Sequence, residues 1–520
     1  DHAHRDNGRS RGDPRAMIVL DAKGMREFDA GQARERGAIA LMREAGAALA
    51  ALVPRYRREG CIMGIAGPGN NGGDVFAALA ALPQAFERIV YALPAPSETE
   101  ARADSVARAR ASGVEIRAIQ GAAELSGLAG AGIILDGLLG VGSHLPLIEP
   151  MTKIAEAINA CGAPVIAIDL PSGVDASTGA IDPMAVRANA TLAIGALKFG
   201  LLLDPARDAA GDIWLAPIGF PSTYQGVVAH CLADAEFRAL VPQRSQNTEK
   251  REAGAPLVLA GSEQFPGAAV LCARAAARTG AGYVTVAIPH EAAATVRARL
   301  VEQTVVTYDP NDVGASVETI VDIARRYGSL AIGPGLGASD SMGTIVREVI
   351  KRVDLPMVID ATGLFHLAKH LDVLHHKYAV LTPHAGEFAR LSGKGTVAES
   401  ERVARLHAFV QEHNVITLLK GRATLVYDGL TTHVNPSGTS ALATAGTGDV
   451  LTGMIGTLLS QGAAPVDAAR AAAYWHGIAG QLAAEKRPIG VVAGDVIEEI
   501  PTAYGRQSGA IASPPVMLIS

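Results

Sequence analysis

The stretch "CIMGIAGPGNNGGDVFAALAAL", residues 61–82, decides the fold. An apolar run, a glycine-rich turn and a run with helical spacing follow one another, which reads as strand, loop and helix. Gly67, Gly69 and Gly72 keep the spacing G-x-G-x-x-G, in the place where a dinucleotide fingerprint would sit. That fingerprint also needs an acidic residue at the end of the next strand, to hold a ribose. The next strand ends "YALPAPS", residues 91–97, with no acid. Asn70, Asn71 and Asp74 bring more polar groups than a pyrophosphate loop uses. The stretch predicts a parallel α/β sheet and leaves the ligand of its loop open.

Working outward, "RIVYAL" (88–93), "VEIRAI" (114–119), "GIILDG" (132–137) and "PVIAIDL" (164–170) are continuously apolar, as strands buried on both faces are. Helical stretches such as "MTKIAEAINACG" (151–162) alternate with them. Residues 24–53 read as one or two amphipathic helices packed on the sheet. From about 220 to 255 the pattern lapses, and "VPQRSQNTEKREAGAP" (241–256) is polar and without period. Alternation then resumes from "PLVLAG" to "VITLLKG", followed by a hairpin from "TLVYDG" and "TTHVN". The expected fold class is α/β. It has two three-layer domains, a Rossmann-like parallel sheet in the N-terminal half and a second α/β domain in the C-terminal half. The boundaries expected are a disordered tail over 1–16, a domain over 17–225, a linker over 226–250 and a domain over 251–510.

Composition narrows the function. The 520 residues carry a formal net charge of -6 and no basic stripe, which argues against a nucleic-acid partner. No unbroken apolar stretch reaches the roughly 20 residues of a membrane span. The first sixteen residues lack the apolar core of a secretory signal. The four cysteines are far apart and form no C-x-x-C, so neither a zinc site nor a redox pair is expected, and a reducing, cytoplasmic location fits.

Ligands of open parallel sheets bind beyond the carboxyl ends of the strands. Asp136 ends one apolar run, and Asp169 and Ser172 follow another. A lone strand-end Asp is usually a loop hydrogen bonder. Three strand ends carrying polar groups above one sheet favour a site, and oxygen donors without His or Cys suit a hard cation. In the C-terminal half, "ATAGTGDVLTGMIGTLL" (443–459) runs a glycine-rich turn straight into a helix near Gly448. Its amides can hold a phosphate. Asp449 in the first turn is either a cap or a catalytic base. Lys420, ending an apolar strand, suits a phosphate neighbour, whereas His476 reads as a packed histidine.

"GPGNNGGD", "DGLLGVG", "AIDLPSGVDASTG", "AIGALKFGLLLDPA" and "GDIWLAPIGFP" together resemble the epimerase domain of the NAD(P)H-hydrate repair enzymes. The resemblance implies a potassium ion held by Asn71, Asp136 and Ser172. It implies Asp169 as the group handling protons at a hydrated nicotinamide. Substrate contacts are implied from Asn70, Asn71, Gly72, Gly73 and Asp74, and from Gly140, Val141, Gly142, Ser143, His144, Leu145 and Pro146. Val75 stands where the family usually has glycine, the 140–146 loop lacks the usual hydroxyl and arginine, and "LMREAG" (41–46) lacks the usual asparagine.

"GSEQFPGAAVLCARAAARTGAGYVTVA", "GPGLG", "LTPHAGEFARL", "LLKGRATLVYDG" and "YWHGIAG" occur in order and resemble the ADP-dependent dehydratase domain of the same enzymes, a ribokinase-like fold. This implies contacts to ADP from Lys420, Gly421, Arg422, Ala423, Thr424 and Gly448, and contacts to the hydrate from Ala268, Gly335, His384 and Asp449. Asp449 would be the catalytic base, with Mg²⁺ on the phosphates. Thr362 stands where the family's "DADAL" has a carboxylate. The expected activity is epimerisation of the R and S hydrates of NADH and NADPH, and dehydration of the S form at the expense of ADP, giving AMP and phosphate. The expected assembly is a homo-oligomer. The alternative is a ribokinase-like, ATP-dependent small-molecule kinase with a non-catalytic N-terminal binding domain.

Overall fold

The computed structural model describes residues 17–375, 377–506 and 516–519. The tail expected over 1–16 lies outside the described residues. The chain divides into two compact units. One comprises the residues up to Ala233 with the C-terminal strand Met517–Leu518, and the other begins at Asp234.

The first unit is built on an eight-stranded sheet. Its spatial order is Glu115–Ala118, Arg88–Ala92, Cys61–Ala66, Ala131–Gly137, Val165–Ile168, Ala190–Ile194, Asp212–Ala216 and Met517–Leu518. All neighbours are parallel except the last pair. The chain enters at Cys61–Ala66, builds outward to one edge and then returns to the other side. The order therefore reverses between Cys61–Ala66 and Ala131–Gly137, which opens a crevice at their carboxyl ends. On one face the helices Ala38–Tyr56 and Asn70–Ala81 bury Leu49, Leu52, Val75 and Leu79 against Ile62, Leu135 and Ile166.

Two features differ from the sequence reading. The helix after the glycine-rich turn begins at Asn70, four residues before Asp74, where the run with helical spacing starts. It tolerates Gly72 and Gly73 because the packing there is too close for a side chain. A Cβ at Gly72 would lie 2.1 Å from the Gly67 carbonyl oxygen, and one at Gly73 2.6 Å from Met42 Cε. Second, Met17–Leu20 is a short strand that pairs with Leu197–Lys198 and with Ala229–Cys231. Strands of two to four residues carry too few alternations to show a period.

The second unit contains a nine-strand run. Its order is Thr304–Tyr308, Thr285–Pro289, Pro256–Leu259, Ser329–Ile332, Met357–Ile359, Ala379–Leu381, Ile416–Leu419, Thr424–Tyr427 and Thr432–Asn435. The first seven are parallel, and the last two form the antiparallel hairpin. The helix Thr447–Ser460 is buried at every position from Val450 to Leu459, which explains its apolar, small-residue sequence. It passes so close to the helix Pro266–Arg278 that a Cβ at Gly453 would lie 2.2 Å from the Cys272 carbonyl oxygen. Residues 226–250, read as a linker, include the strand Ala229–Cys231 and the helix Asp234–Leu240. Phe237 anchors that helix among the rings of Tyr474, Trp475 and Tyr504. Among the described residues, no single helix is long and apolar enough to cross a membrane.

Candidate active sites

In the first unit, three strand-end loops lock together through side chains. Asp136, fully buried, accepts from the Ser172 hydroxyl at 2.7 Å and from the Ser172 amide at 2.8 Å. The Ser172 hydroxyl in turn accepts from the Leu139 amide at 2.9 Å. Asn71 donates its amide to the carbonyls of Ile168 at 2.8 Å and Leu139 at 3.1 Å. The spacing between Asn71 and the 140 loop demands glycine, since a Cβ at Gly140 would lie 2.4 Å from Asn71 Oδ1. Burial pushes the Asp136 carboxyl up, opposed by its hydrogen bonds to Ser172 and Leu138. The ordinary remedy for such a carboxylate is a cation. The donors at hand are all oxygens, a set that suits a hard cation.

Beside this knot lies a cavity of about 370 Å³. Asn70, Asn71, Asp74 and Asp169 stand on its wall, as do Arg26 and Asp29 from the helix Ala22–Arg36. Asp169 is a non-glycine residue with φ of 69°, a conformation that costs energy and tends to be kept where a side chain must be aimed. Its carboxylate accepts from the Ile194 amide at 3.0 Å and pairs with the ammonium of Lys198, which is wholly buried. Lys198 also donates to the carbonyls of Ile194 and Ala196, at 2.8 and 3.0 Å. Burial lifts the Asp74 carboxyl well above its ordinary range, and the charges of Asp169 and Asp29 lift it further. Gly72, Gly73 and residues 140–146 are not on the cavity wall. Val141 packs on the cluster of Ile18, Leu20, Met25, Phe28 and Ala196. Val75 is fully buried and fills the gap that Gly64 and Gly137 leave, away from the cavity.

In the second unit the polar groups gather at the start of the helix Thr447–Ser460. Asp360 follows the strand Met357–Ile359 and Lys420 follows Ile416–Leu419. Lys420 Nζ donates to Asp360 Oδ1 at 2.7 Å, and the Thr452 hydroxyl donates to Asp360 Oδ2 at 2.8 Å. Gly448 lies against this pair, its absent Cβ 3.4 Å from Lys420 Nζ. Asp449 sits one residue on. Burial pushes its carboxyl up to about 7, with the Asp360 charge raising it and Lys420 opposing. Lys420 is raised in spite of burial, because Asp360 and Glu387 favour its charge.

His384 caps the helix Ala385–Ser392: its Nδ1 accepts from the Gly386 amide at 3.0 Å, and its own amide donates to Glu387 at 2.8 Å. Glu387 also lies 3.8 Å from Lys420, which ties the cap to the cluster. Gly335 and Ala268 are neighbours, with a Cβ at Gly335 falling 2.8 Å from that of Ala268. Of the run Lys420–Thr424, Ala423 is buried, and the Thr424 hydroxyl turns back to the Gly421 carbonyl at 2.9 Å. His476 is buried, its basicity pushed down to about 4 by burial, against the backbone of Thr447.

Sequence reasoning did not assign roles to Asp29, Lys198, Asp360, Thr452 and Glu387. The strand-end rule that singles out Asp136 applies equally to Asp360. The rule that singles out Lys420 applies to Lys198 in "AIGALKFG". Asp29, one charge among many on an amphipathic helix, carries no local signal.

The profile of the NAD(P)H-hydrate dehydratase family matches residues 256–502, and that of the YjeF-related protein N-terminus matches residues 38–200. A bifunctional NAD(P)H-hydrate repair enzyme of Pyrobaculum aerophilum is 35% identical over 478 residues, covering 90% of this chain and 94% of the relative. The chain belongs to the bifunctional NAD(P)H-hydrate repair enzymes. Another member, from Salinibacter ruber, is 32% identical, covering 94% of this chain and 97% of its own. Among solved structures, the ADP/ATP-dependent NAD(P)H-hydrate dehydratase of Bacillus subtilis, co-crystallised with ATP/Mg²⁺, is 29% identical. It covers 54% of this chain and 99% of its own, at a TM-score of 0.48. Membership in the repair family does not favour the small-molecule kinase alternative.

Proposed function

We infer that this chain repairs hydrated NADH and NADPH, interconverting the R and S hydrates in its first unit and dehydrating the S hydrate in its second, with ADP converted to AMP and phosphate. The observation that carries the reading is Asp449 at the start of the helix Thr447–Ser460, beside the Lys420–Asp360 pair, in a chain of this family.

The chemistry follows from that placement. Hydroxide leaves poorly from carbon, and phosphate leaves well. Asp449, with a carboxyl near 7, can take the proton of the hydrate's hydroxyl as that oxygen attacks the terminal phosphoryl group. The backbone amides at Thr447 and Gly448 and the Lys420 ammonium would hold the negative charge in transfer. Lys420 to Thr424 would flank the nucleotide, while Ala268, Gly335 and His384 would border the hydrate. Mg²⁺ would arrive on the nucleotide's phosphates, retaining most of its own waters.

In the first unit, Asn71, Asp136 and Ser172 would hold a potassium ion, which supplies positive charge for the substrate's phosphates and for the buried carboxylate. Asp169, steadied by Lys198, would handle protons at the hydrated ring. Asn70, Asp74 and the 140–146 loop would border the substrate.

Incubating the protein with S hydrate and ADP should restore NADH absorbance in step with AMP and phosphate release. No return of absorbance, with phosphorylation of an alcohol by ATP instead, would refute this function.

A further inference from the structure

The cavity of the first unit holds a carboxylate that the roles above leave unused. Asp29 reaches the wall from the helix Ala22–Arg36, whereas Asp169 reaches it from the end of the strand Val165–Ile168. The two come from different layers of the fold into one space of about 370 Å³. Their surroundings differ. Asp169 has an ammonium partner in Lys198 and a backbone donor in Ile194. Asp29 has no such partner among the described residues: it stands on the cavity wall as an exposed residue of its helix. The charged groups facing it are Asp74, Asp169 and Lys198, together with Arg26 one turn earlier on its own helix. Two carboxyl groups in one site with such unlike partners are a ready division into acid and base.

We propose that Asp29 is the second catalytic residue of the epimerisation, acting as the proton donor where Asp169 is the acceptor; this rests on the epimerase reading of the first unit. The step balances as follows. The Asp29 carboxyl gives its proton to the hydroxyl on the carbon next to the ring nitrogen. The carbon–oxygen bond breaks, its electron pair leaving with a molecule of water, and the nitrogen lone pair closes an iminium. A second water adds to the same carbon on the other face and yields its proton to Asp169. One water leaves, one enters, and the configuration is inverted; solvent returns the proton from Asp169 to Asp29. The reverse direction exchanges the two roles.

The electrostatics agree with the geometry. Burial lifts the Asp29 carboxyl to about 7, the Lys198 charge pulling it back and the Asp169 charge pushing it up. At neutral pH about half of the molecules therefore keep a proton that an ordinary aspartic acid has lost.

The test uses the full chain, purified R hydrate, excess ADP and H₂¹⁸O. Wild type should convert R hydrate to NADH faster than the spontaneous interconversion allows and slow as pH rises through about 7; in a parallel incubation without ADP it should incorporate solvent oxygen into the S hydrate that accumulates. Asp29→Asn should lower the R-to-S rate about 100-fold or more and abolish that pH limb. It should leave ADP-dependent dehydration of S hydrate, the work of the other unit, unchanged. Asp29→Glu, which keeps the carboxyl, should restore at least about a tenth of the rate and the pH limb.

An Asn variant within about threefold of wild type, with its pH profile intact, overturns the proposal. So does a Glu variant as slow as the Asn variant. Wild type no faster than the spontaneous rate would instead refute the epimerase reading itself, and the proposal with it.

Discussion

Asp449 answers to two opposed demands. As a base it must be ionised at working pH, and its burial makes that ionisation costly, so its carboxyl stands near 7 instead of near 4. Between those values the folded protein keeps a proton that the unfolded chain gives up. By linkage this contribution to stability falls as pH rises from about 4 to about 7 and is fully lost above. Asp449→Asn should therefore lower dehydration by about 10² to 10⁴-fold. The same variant should be more stable than wild type at pH 8, by about 2 kcal/mol in urea unfolding, and should show little gain at pH 4. Wild-type dehydration should rise with pH through about 7, the opposite sense to the limb expected of Asp29. Lys420 is the converse case. It is the ion-pair partner of Asp360, which is 2% exposed, so Lys420→Met should cost about 3–5 kcal/mol by stranding that carboxylate. Retention of wild-type stability in the Met variant would mean that Thr452 alone satisfies Asp360.

Among the elements, the helix Asn70–Ala81 shows how a glycine pattern can deceive. In a dinucleotide loop the middle glycine lets the backbone approach the pyrophosphate. Here the middle glycine, Gly69, has open space where its Cβ would be, while Gly67 and Gly72 are forced by neighbouring carbonyls at 1.8 and 2.1 Å. Gly69→Ala should thus change stability by no more than about 0.5 kcal/mol. Gly72→Ala should destabilise the first unit by about 1–3 kcal/mol and slow epimerisation by displacing Asn70, Asn71 and Asp74. Equal effects of the two substitutions in thermal unfolding would contradict this assignment. The long parallel strands were legible in the sequence because burial on both faces leaves unbroken apolar runs. The helix start at Asn70 was not, because two glycines inside a helix read as a loop until their close-packed neighbours are known. The strand Leu197–Lys198 escaped notice because two residues have no period, although it carries the lysine that steadies Asp169.

At the scale of the whole molecule, each cluster is complete within one unit. Asn71, Asp74, Asp136, Asp169 and Lys198 all precede Ala233, and Asp360, Lys420, Asp449 and Thr452 all follow Asp234. The S hydrate made in one site can then serve any chain's other site. An equimolar mixture of Asp169→Ala and Asp449→Asn chains should convert R hydrate to NADH with ADP faster than either alone, since Asp169→Ala by itself has only the spontaneous interconversion to draw on. A mixture no faster than Asp169→Ala alone would show that the intermediate is not shared through solution.

The sequence alone determined the α/β class, the two-unit plan and the residues at most strand ends. These are local properties: apolar runs, turn residues and polar groups at the boundary between them. Tertiary structure alone decided that Lys198 meets Asp169, that Glu387 joins a helix cap to Lys420, and that Asp29 shares a cavity with Asp74. Those pairings join groups from separate elements, and proximity between elements depends on how they pack, which no local pattern of residues encodes.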